Sequence, residues 1–283
     1  MYADLHVHSH YSDGTDSPAA LVNIAKNLGV SVLSMTDHDS VRGVCEFLRE
    51  AKKSEIEAVP GVEISTSRNG ASIHILGYFI DAENVNLQKY LGGVAKARTE
   101  NTKFIFDKLC EMGTLNFSWG KVLHYSRNKD GVSSADVFAA MKNDKIYSSW
   151  REFPQFYYSY FGKNSAAYVN FDCFLADGAI KAILAAGGIP VLAHPKLMGD
   201  DSQINNLIEE GLMGIEVYHP AHDQADMQRY LDMATSYGLL ITGGSDWHGE
   251  MSVYEYTIGE CGINQALVDR LWETRTITRE EGR

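Results

Sequence analysis

The sequence predicts an α/β fold whose strands form a closed or nearly closed barrel, interrupted by a helical insertion. Strand and helix signals alternate over the first eighty residues, and the alternation resumes after about residue 170. The stretch between shows helix signals without strands. Repeated βα units imply parallel strands, and several of them favour a barrel over an antiparallel fold. We therefore expect a barrel built from residues 1–83 and 171–283, with an insertion at 84–170.

Seven segments of the expected barrel have the character of strands. The first alternates between polar and apolar residues, and the second is a short apolar run typical of a buried strand. A turn at Arg68-Asn69-Gly70 joins the third segment to the fourth. The predicted strands are Tyr2–His8, Val30–Thr36, Glu57–Thr66, Ser72–Phe79, Ile189–His194, Gly214–His219 and Leu239–Thr242.

Helix signals lie between these strands. Ser17 and Pro18 are typical of an N-cap followed by a first-turn proline, and Gly29 ends the helix predicted over Ala19–Leu28. The other predicted barrel helices are a segment from Asp39 and Ser40 to about Lys53, then Asp177–Ala186, Ser202–Glu210 and Ala225–Tyr237.

The insertion is expected to cover the active site. It begins with a long amphipathic helix, about Val85–Met112, which Gly113 ends, and two shorter helices start near Ser118 and Ser133. An aromatic-rich stretch follows at 150–168. Its aromatic side chains could stack on a nucleobase, although we favour packing within the insertion's own core. The residues concerned are Tyr157, Tyr158, Tyr160 and Phe161.

Composition limits the classes of partner. The chain has 283 residues and a net charge of −12, so its surface repels long nucleic acids unless a bound metal reverses the local field. A small anionic substrate is compatible with such a metal. Four widely spaced cysteines, the absence of a leader and the absence of a membrane-length apolar run predict a cytoplasmic protein without membrane contact. The oligomeric state cannot be read from the sequence.

Polar residues follow the predicted strands at the point where each one ends. In α/β barrels the carboxyl ends of the strands carry the active site. Ten residues with metal-binding or acid–base side chains share this position: His6, His8, Asp13, His38, Glu63, His74, His194, His219, Asp246 and His248.

Two pairs of these residues have a spacing that suits metal binding. Residues i and i+2 of a strand point to one face, so His6 and His8 can bind one cation together, as can Asp246 and His248. A lone pair of this kind is more often found on a solvated surface, but two pairs at opposite ends of the chain favour a metal site. A donor set of nitrogen and oxygen without thiolate suits Mn²⁺, Fe²⁺ or Zn²⁺.

Several neighbouring residues have two interpretations. Asp39 either caps the next helix or supports His38 from behind, as Asp37 also could, and both can hold. Glu63 is either a solvated strand-end glutamate or a carboxylate that bridges two metals. His10 continues the alternation where the strand ends, so we expect it not to bind metal, and whether it lines the pocket stays open. His124 and His222 are expected to be exposed or helix-capping.

The chain resembles the PHP (polymerase and histidinol phosphatase) superfamily of metal-dependent phosphoesterases. Seven motifs occur in order: DLHVHSHYSDG, TDHDS, PGVEIS, IHILGY, LAHPK, GIEVYHP and GSDWHG. They cover about 1–80 and 172–250, and the insertion between them is similar to that of single-chain members that act on small nucleotides or short RNA 5′ ends. The resemblance implies a distorted (β/α)7 barrel with two or three divalent metals.

The resemblance also assigns residues to three metal sites and to catalysis. Glu63 would bridge the first two sites, and His219 would face the phosphate. Catalytic roles are implied for His219, Glu63 and Asp246. The sites would contain His6, His8, Glu63 and Asp246; Glu63, His74 and His194; and Asp13, His38 and His248.

One part of the family pattern is missing. Similar enzymes bind the substrate phosphate through an arginine and a histidine at the start of an insertion helix, where this chain has Ser134 and Asp136. Lys196, Arg127 and Arg151 are candidate replacements, although each has the simpler interpretation of a surface charge.

The function expected from these residues is hydrolysis of a small nucleotide-type phosphate ester by a hydroxide that bridges two metals. The substrate would be a 3′,5′-nucleoside bisphosphate or the 5′ end of a short RNA. An amidohydrolase-like metal hydrolase and a histidinol-phosphate phosphatase are the alternative enzymes. A catalytically silent metal-binding module that regulates a partner is the alternative without catalysis.

Overall fold

The computed structural model describes residues 2–68, 70–127, 129–170 and 174–281, and its side chains to residue 276. Eight strands of this part of the chain form a single sheet in the order β7-β6-β5-β4-β3-β2-β1-β8. Their bounds are β1 Tyr2–Val7, β2 Val32–Met35, β3 Glu57–Arg68, β4 Ala71–Tyr78, β5 Ile189–Leu192, β6 Gly214–Tyr218, β7 Leu240–Gly243 and β8 Ile263–Asn264. All seven predicted strands are present, and β8 adds a two-residue strand.

Eleven α-helices accompany the sheet in the described residues. They are α1 Pro18–Asn27, α2 Val44–Ser54, α3 Val85–Glu111, α4 Trp119–Tyr125, α5 Ser134–Asn143, α6 Phe153–Tyr160, α7 Ala176–Ala185, α8 Pro195–Met198, α9 Gln203–Glu209, α10 Gln224–Tyr237 and α11 Gln265–Glu281.

The sheet closes to a distorted barrel, as the sequence predicts. Strands β1, β2 and β3 run parallel, and so do β5, β6 and β7. The edges meet where Val7 pairs with Trp247 and the N–H of Asp246 donates to the carbonyl of His6 at 2.9 Å. The expectation of parallel strands is wrong for β4, which is antiparallel to both β3 and β5. No helix separates β3 from β4, so the two form a hairpin; Asn69 of the predicted turn lies outside the described residues.

The first strand shows how the fold creates two kinds of surface. Leu5 and Val7 belong to the apolar core, whereas Asp4 and His6 alternate with them and are also fully buried. Since alternate residues of a strand face opposite sides, the polar side chains share one face. The barrel therefore buries a row of ionisable groups, a costly arrangement unless they are paired or bind a cation.

The insertion segment has an apolar cluster of its own. Helices α3 to α6 contribute to it, and the ring of Phe138 lies 5.3 Å from that of Phe156 and 6.0 Å from that of Trp150. Phe161 is buried there and Tyr160 packs against it, whereas Tyr158 is exposed. Packing within the insertion thus accounts for part of the aromatic stretch.

Two further sequence-based expectations concern membrane-spanning helices and the cysteines. Among the described helices, none combines the length and the apolar character that crossing a membrane requires. Cys45 is exposed, and Cys110 and Cys261 are partly exposed; Cys173 lies outside the described residues. No disulfide joins the three described cysteines.

Candidate metal centre

The residues predicted to bind metal come together at one end of the barrel. His6 and His8 lie at the end of β1, and Asp246 and His248 follow β7, which the barrel closure brings beside β1. Asp246 Oδ1 is 3.2 Å from His8 Nε2 and 3.4 Å from His6 Nε2. The two i, i+2 pairs therefore form one cluster, although they come from opposite ends of the sequence.

Glu63 and His74 reach this cluster from within strands rather than from strand ends, contrary to the expectation. β3 continues past Glu63 to Arg68 because it forms a hairpin with β4. Since β4 runs in the opposite direction, its first half lies beside the second half of β3. His74 pairs with Ser65 in the hairpin, and His38 forms a bridge with Glu63.

A single buried carboxylate connects most of the imidazoles. Glu63 is fully buried, and burial alone would raise its pKa. The surrounding histidines, His38 before the others, instead hold the pKa of Glu63 well below its usual range, so that its carboxylate is ionised. The imidazole nitrogens that lie against it belong to His74 at 2.7 Å, His194 at 3.0 Å, His6 at 3.1 Å, His8 at 3.2 Å and His38 at 3.4 Å.

In the part of the chain that the structure describes, three overlapping groups of donor atoms are close enough to hold metal ions. Within each group all donors lie within 4.8 Å of one another. The groups are His6, His8, Glu63 and Asp246; His38, Glu63 and His74; and His8, Asp13, His38 and His248. The first group is the set that the resemblance implies for the first metal site. The third group contains the residues implied for the third site and, in addition, His8. The second group contains His38 in place of the implied His194, although His194 contacts the same Glu63 oxygen as His74.

The imidazole of His8 supports occupation by a cation. It is fully buried, and neither ring nitrogen has a hydrogen-bond partner among the described residues, although carboxylate oxygens of Glu63 and Asp246 lie 3.2 Å from Nε2. Buried polar atoms almost always have a partner. Burial lowers the pKa of His8, but Asp246 and Glu63 raise it to about 10, so a proton competes with a metal for this side chain.

Glu216 positions two of the histidines and was not recognised in the sequence. It is fully buried in β6, with Oε1 3.0 Å from His6 Nδ1, and its Oε2 accepts a hydrogen bond of 2.8 Å from the N–H of His194. A carboxylate behind an imidazole fixes the ring and leaves the other nitrogen for a metal. The available signal was a glutamate between Ile215 and Val217 in an otherwise apolar strand.

His219 is held in one tautomer. The N–H of Ala221 donates to its Nδ1 at 3.0 Å, so in the neutral ring the proton is on Nε2, which lies 3.4 Å from Oδ2 of Asp246. His219 is buried, and the ring of Tyr254 lies 5.6 Å from its own. An Nε2 that carries a proton is a hydrogen-bond donor rather than a metal ligand.

Asp37 and Asp39 both support the centre from behind. Asp37 accepts hydrogen bonds of 2.7 Å from the Ser9 N–H and the Ser12 hydroxyl, which fixes the loop that carries Asp13. Asp39 has a φ of 50° and accepts from the Ser65 N–H at 2.7 Å. The expected cap at Asp39 or Ser40 is wrong, because α2 begins at Val44 after Gly43.

The other histidines lie apart from the cluster. His10 and His124 are exposed, and the ring of His10 lies 4.7 Å from that of Tyr11. His222 is buried with Nδ1 2.8 Å from the carbonyl of Val217. It does not cap α10, because the side chain of Asp223 does.

A cavity of about 290 Å³ lies beside the cluster. Three of the clustered residues, Asp13, His38 and His74, form part of its wall. The remainder comes from the β3–β4 hairpin and from the insertion, including its first helix α3. It includes Ser67, Arg98, Asn101, Ser134, Tyr157, Phe161, Lys163, Tyr168 and Asn170.

Comparison with known proteins identifies the family to which this fold belongs. A PHP domain is matched over residues 4–169. The chain belongs to the PHP family. It is 31% identical over 252 residues to the phosphoribosyl 1,2-cyclic phosphate 1,2-diphosphodiesterase of Eggerthella lenta, with 88% of this chain and 95% of the relative covered.

Other PHP proteins match over similar lengths. The chain is 31% identical to a 5′-3′ exoribonuclease of Haemophilus influenzae, with 95% of this chain and 97% of the relative covered. It is 28% identical to a 3′,5′-nucleoside bisphosphate phosphatase of Chromobacterium violaceum, at 87% and 86% coverage. A Bifidobacterium adolescentis crystal structure described as a metal-dependent phosphoesterase superposes with a TM-score of 0.86 at 26% identity, with 96% of each chain covered. The predicted hydrolytic phosphoesterase with a PHP fold is confirmed.

The two positions that depart from the PHP pattern have different surroundings. Ser134 lines the cavity. Asp136 is buried, accepts from the N–H of Ser133 at 2.7 Å in a capping box, and pairs with Lys129 at 2.7 Å. Asp136 therefore stabilises the start of α5 and is not a counterpart of the phosphate-binding histidine.

None of the three basic residues suggested as replacements is part of this cavity wall in the described residues. Lys196 pairs with Asp226, and with Asp223 at 3.4 Å, so its charge is neutralised by the first turn of α10. Arg127 is exposed beside His124. Arg151 lines a separate groove that also includes Trp150, Trp247 and Tyr254. Among the described residues, the cations that line the cavity are Arg98 and Lys163. Neither residue belongs to one of the seven sequence motifs, so sequence reasoning did not find them.

Proposed function

We propose that this PHP protein hydrolyses a small phosphate ester of the nucleotide or sugar-phosphate type with the help of two or three divalent metals. The observation that carries the proposal is the position of Glu63, whose two carboxylate oxygens lie against five imidazoles within three overlapping donor groups. A carboxylate shared between donor groups is suited to bridging neighbouring metals.

The proposed ligands are the nine residues that the sequence indicates. The donor set contains imidazole nitrogen and carboxylate oxygen only, which suits Mn²⁺, Fe²⁺ or Zn²⁺. The residues are His6, His8, Asp13, His38, Glu63, His74, His194, Asp246 and His248. Bound metals would supply a water of lowered pKa and neutralise charge on the phosphoryl oxygens.

The protein's own side chains would then orient the reaction. Glu216 fixes the ring of His6 and the backbone of His194. His219 holds a proton on Nε2 beside Asp246, so we assign it the role of acid for the leaving oxygen or donor to the phosphate. Asp246 would both bind metal and hold the His219 ring in place.

The substrate is proposed to be small. A cavity of about 290 Å³ lies at the lower end of the range for ligand pockets and suits a sugar phosphate or one nucleotide. The Eggerthella and Chromobacterium relatives are named for a phosphoribosyl cyclic phosphate and a nucleoside bisphosphate, both of which carry two phosphate groups. The net charge of −12 disfavours long nucleic acids, while a short RNA 5′ end, as the exoribonuclease relative suggests, is the second candidate.

The insertion at 84–170 is proposed to cover this site. Tyr157 of α6, Phe161 after it and Ser134 of α5 line the same cavity as His38 and His74 of the barrel. We further propose a cytoplasmic location, where such phosphorylated metabolites are found.

Phosphate release tests the proposal directly. The purified protein is reconstituted separately with Mn²⁺, Fe²⁺ and Zn²⁺ and incubated with nucleoside bisphosphates, nucleoside monophosphates, a phosphoribosyl cyclic phosphate, a 5′-phosphorylated trinucleotide and histidinol phosphate. We expect turnover of at least one nucleotide-type ester. Retention of metal without hydrolysis of any phosphoester would favour the silent regulatory module, and cleavage of amides alone would favour the amidohydrolase-like enzyme.

A further inference from the structure

The cavity beside the metal centre has an outer part that the hydrolytic chemistry does not use. Asp13, His38 and His74 account for the metal-binding side of its wall. The same wall also contains hydroxyl, amide and cationic side chains that belong to none of the three donor groups. Among the described residues that line the cavity, Asp13 is the only carboxylate, and its assigned role is in metal binding. The outer part is therefore rich in hydrogen-bond donors and free of negative charge.

Ser67 has a donor without a partner in this wall. The residue is 5% exposed, and its hydroxyl makes no hydrogen bond with the described residues. Its backbone N–H is already used, because it donates to the carbonyl of Phe174 at 2.9 Å. A buried hydroxyl normally has a partner, so this group would gain one if its side chain turned toward an acceptor bound in the cavity.

Lys163 is the unpaired cation of the same wall. Its ammonium is exposed and makes no ion pair within the described part of the chain. Two other lysines of the described chain have carboxylate partners: Lys129 pairs with Asp136, and Lys196 pairs with Asp226. Lys163 thus adds an uncompensated positive charge to a strongly acidic protein, next to a centre that binds phosphate under the proposed function.

Arg98 is held in a fixed position between these donors and the metal centre. Its guanidinium pairs with Asp39 and donates to the Ser65 hydroxyl at 2.6 Å, and that hydroxyl lies 3.4 Å from His38 Nδ1. Because Asp39 compensates its charge, we regard Arg98 as a positioning residue for the wall rather than as the anion's main partner.

We propose that this outer part of the cavity binds a second phosphate group of the substrate, with Lys163 as its counter-charge and the Ser67 hydroxyl as a donor. The inference rests on the proposed function, because it requires the scissile phosphate at the metals. Lysine is a common phosphate partner as a point charge, and hydroxyl and amide donors satisfy the remaining oxygens. Ser134, at the position where the family pattern has arginine, and Lys163, in the segment after α6, line the same cavity.

Comparison of three nucleotides tests the inference. The metal-reconstituted protein is assayed with adenosine 3′,5′-bisphosphate, adenosine 3′-monophosphate and adenosine 5′-monophosphate. We expect kcat/KM for the bisphosphate to exceed that for either monophosphate by about tenfold or more, the size of one charged hydrogen bond. In Lys163→Ala this preference should fall to about twofold or less, with the change mainly in KM, and Lys163→Arg should restore most of it.

Matched variants separate the proposed contact from a general effect. Lys89→Ala removes an exposed lysine of α3 that does not line the cavity, and we expect it to keep the preference. Ser67→Ala should reduce the preference by about threefold to tenfold. Equal kcat/KM for bisphosphate and monophosphates in the unmodified protein, or an unchanged preference in Lys163→Ala, would overturn the inference while leaving the phosphoesterase in place.

If no nucleotide is turned over, the result counts against the proposed function. A binding measurement then tests the second-phosphate site separately. Calorimetric titration of the metal-reconstituted protein with adenosine 3′,5′-bisphosphate needs no catalysis. Weaker binding by about tenfold in Lys163→Ala than in Lys89→Ala supports the second-phosphate site. Equal affinities of these two variants contradict it.

Discussion

The backbone N–H of Ala221 donates a hydrogen bond of 3.0 Å to Nδ1 of His219. This bond leaves Nε2 of the neutral ring protonated and directed toward Asp246. We therefore predict that His219→Gln lowers kcat by about 10²-fold to 10⁴-fold, the range for loss of a general acid, while the metal content stays unchanged. Steady-state kinetics and elemental analysis of the same preparation check it. His222→Gln, at the buried histidine beside it, is the control, and loss of metal in His219→Gln would make His219 a ligand instead.

Loss of metal is predicted for His8→Ala. His8 belongs to two of the three donor groups, and its buried nitrogens have no other hydrogen-bond partner. Elemental analysis should show a reduced metal stoichiometry, and phosphate release should fall below detection. The matched control is His10→Ala, which removes an exposed histidine two residues further on and should keep both properties. Full metal content and activity in His8→Ala would exclude the proposed ligand set.

Glu216→Gln is predicted to weaken metal binding by about tenfold to 100-fold, as substitutions behind a metal ligand commonly do. The amide keeps the shape of the side chain but can no longer act as a charged acceptor for both His6 and the His194 N–H. Metal titration with a competing chelator measures the change. Glu209→Gln, at an exposed glutamate of α9, should leave the affinity unaltered, and equal affinities in both variants would show that Glu216 only fills space.

Asp136→Ala is predicted to lower the free energy of unfolding by about 2–3 kcal/mol, because it removes a capping box and leaves Lys129 without its carboxylate. Metal content should stay the same, since Asp136 contacts none of the proposed ligands. Chemical denaturation of Asp144→Ala provides the comparison: its pair with Lys121 is largely exposed and should contribute less than about 1 kcal/mol. Similar losses in both variants would contradict the structural role of Asp136.

The strands and the convergence of the nine polar residues could be predicted because both depend on local spacing. An apolar run marks a buried strand, and an i, i+2 pair of ligand-type residues needs no knowledge of distant parts of the chain. Glu216 escaped prediction because its partner, His6, is 210 residues away and becomes a neighbour only through the order of strands. The start of α2 was misplaced for a related reason: the carboxylate of Asp39, which resembles a cap, is used by the distant Arg98 and Ser65.

The basic residues near the cavity also could not be assigned from local sequence, because their partners are distant in the chain. Lys196 follows a conspicuous motif, yet its charge is compensated by residues of α10 that only the fold brings near. Lys163 lies in a segment without any recognisable pattern, and its place in the cavity wall depends on how the insertion packs over the hairpin. Surface charges can therefore be assigned to a substrate only after their partners are known.

The closure of the barrel between Val7 and Trp247 makes metal binding depend on the completed sheet. His6 and Asp246 are 240 positions apart in the sequence, and they become neighbours only when the end of β1 meets the segment after β7. The first donor group is therefore absent from the unfolded chain. Metal bound to this group stabilises the closed barrel, and removal of the metal should loosen the contact between these two segments.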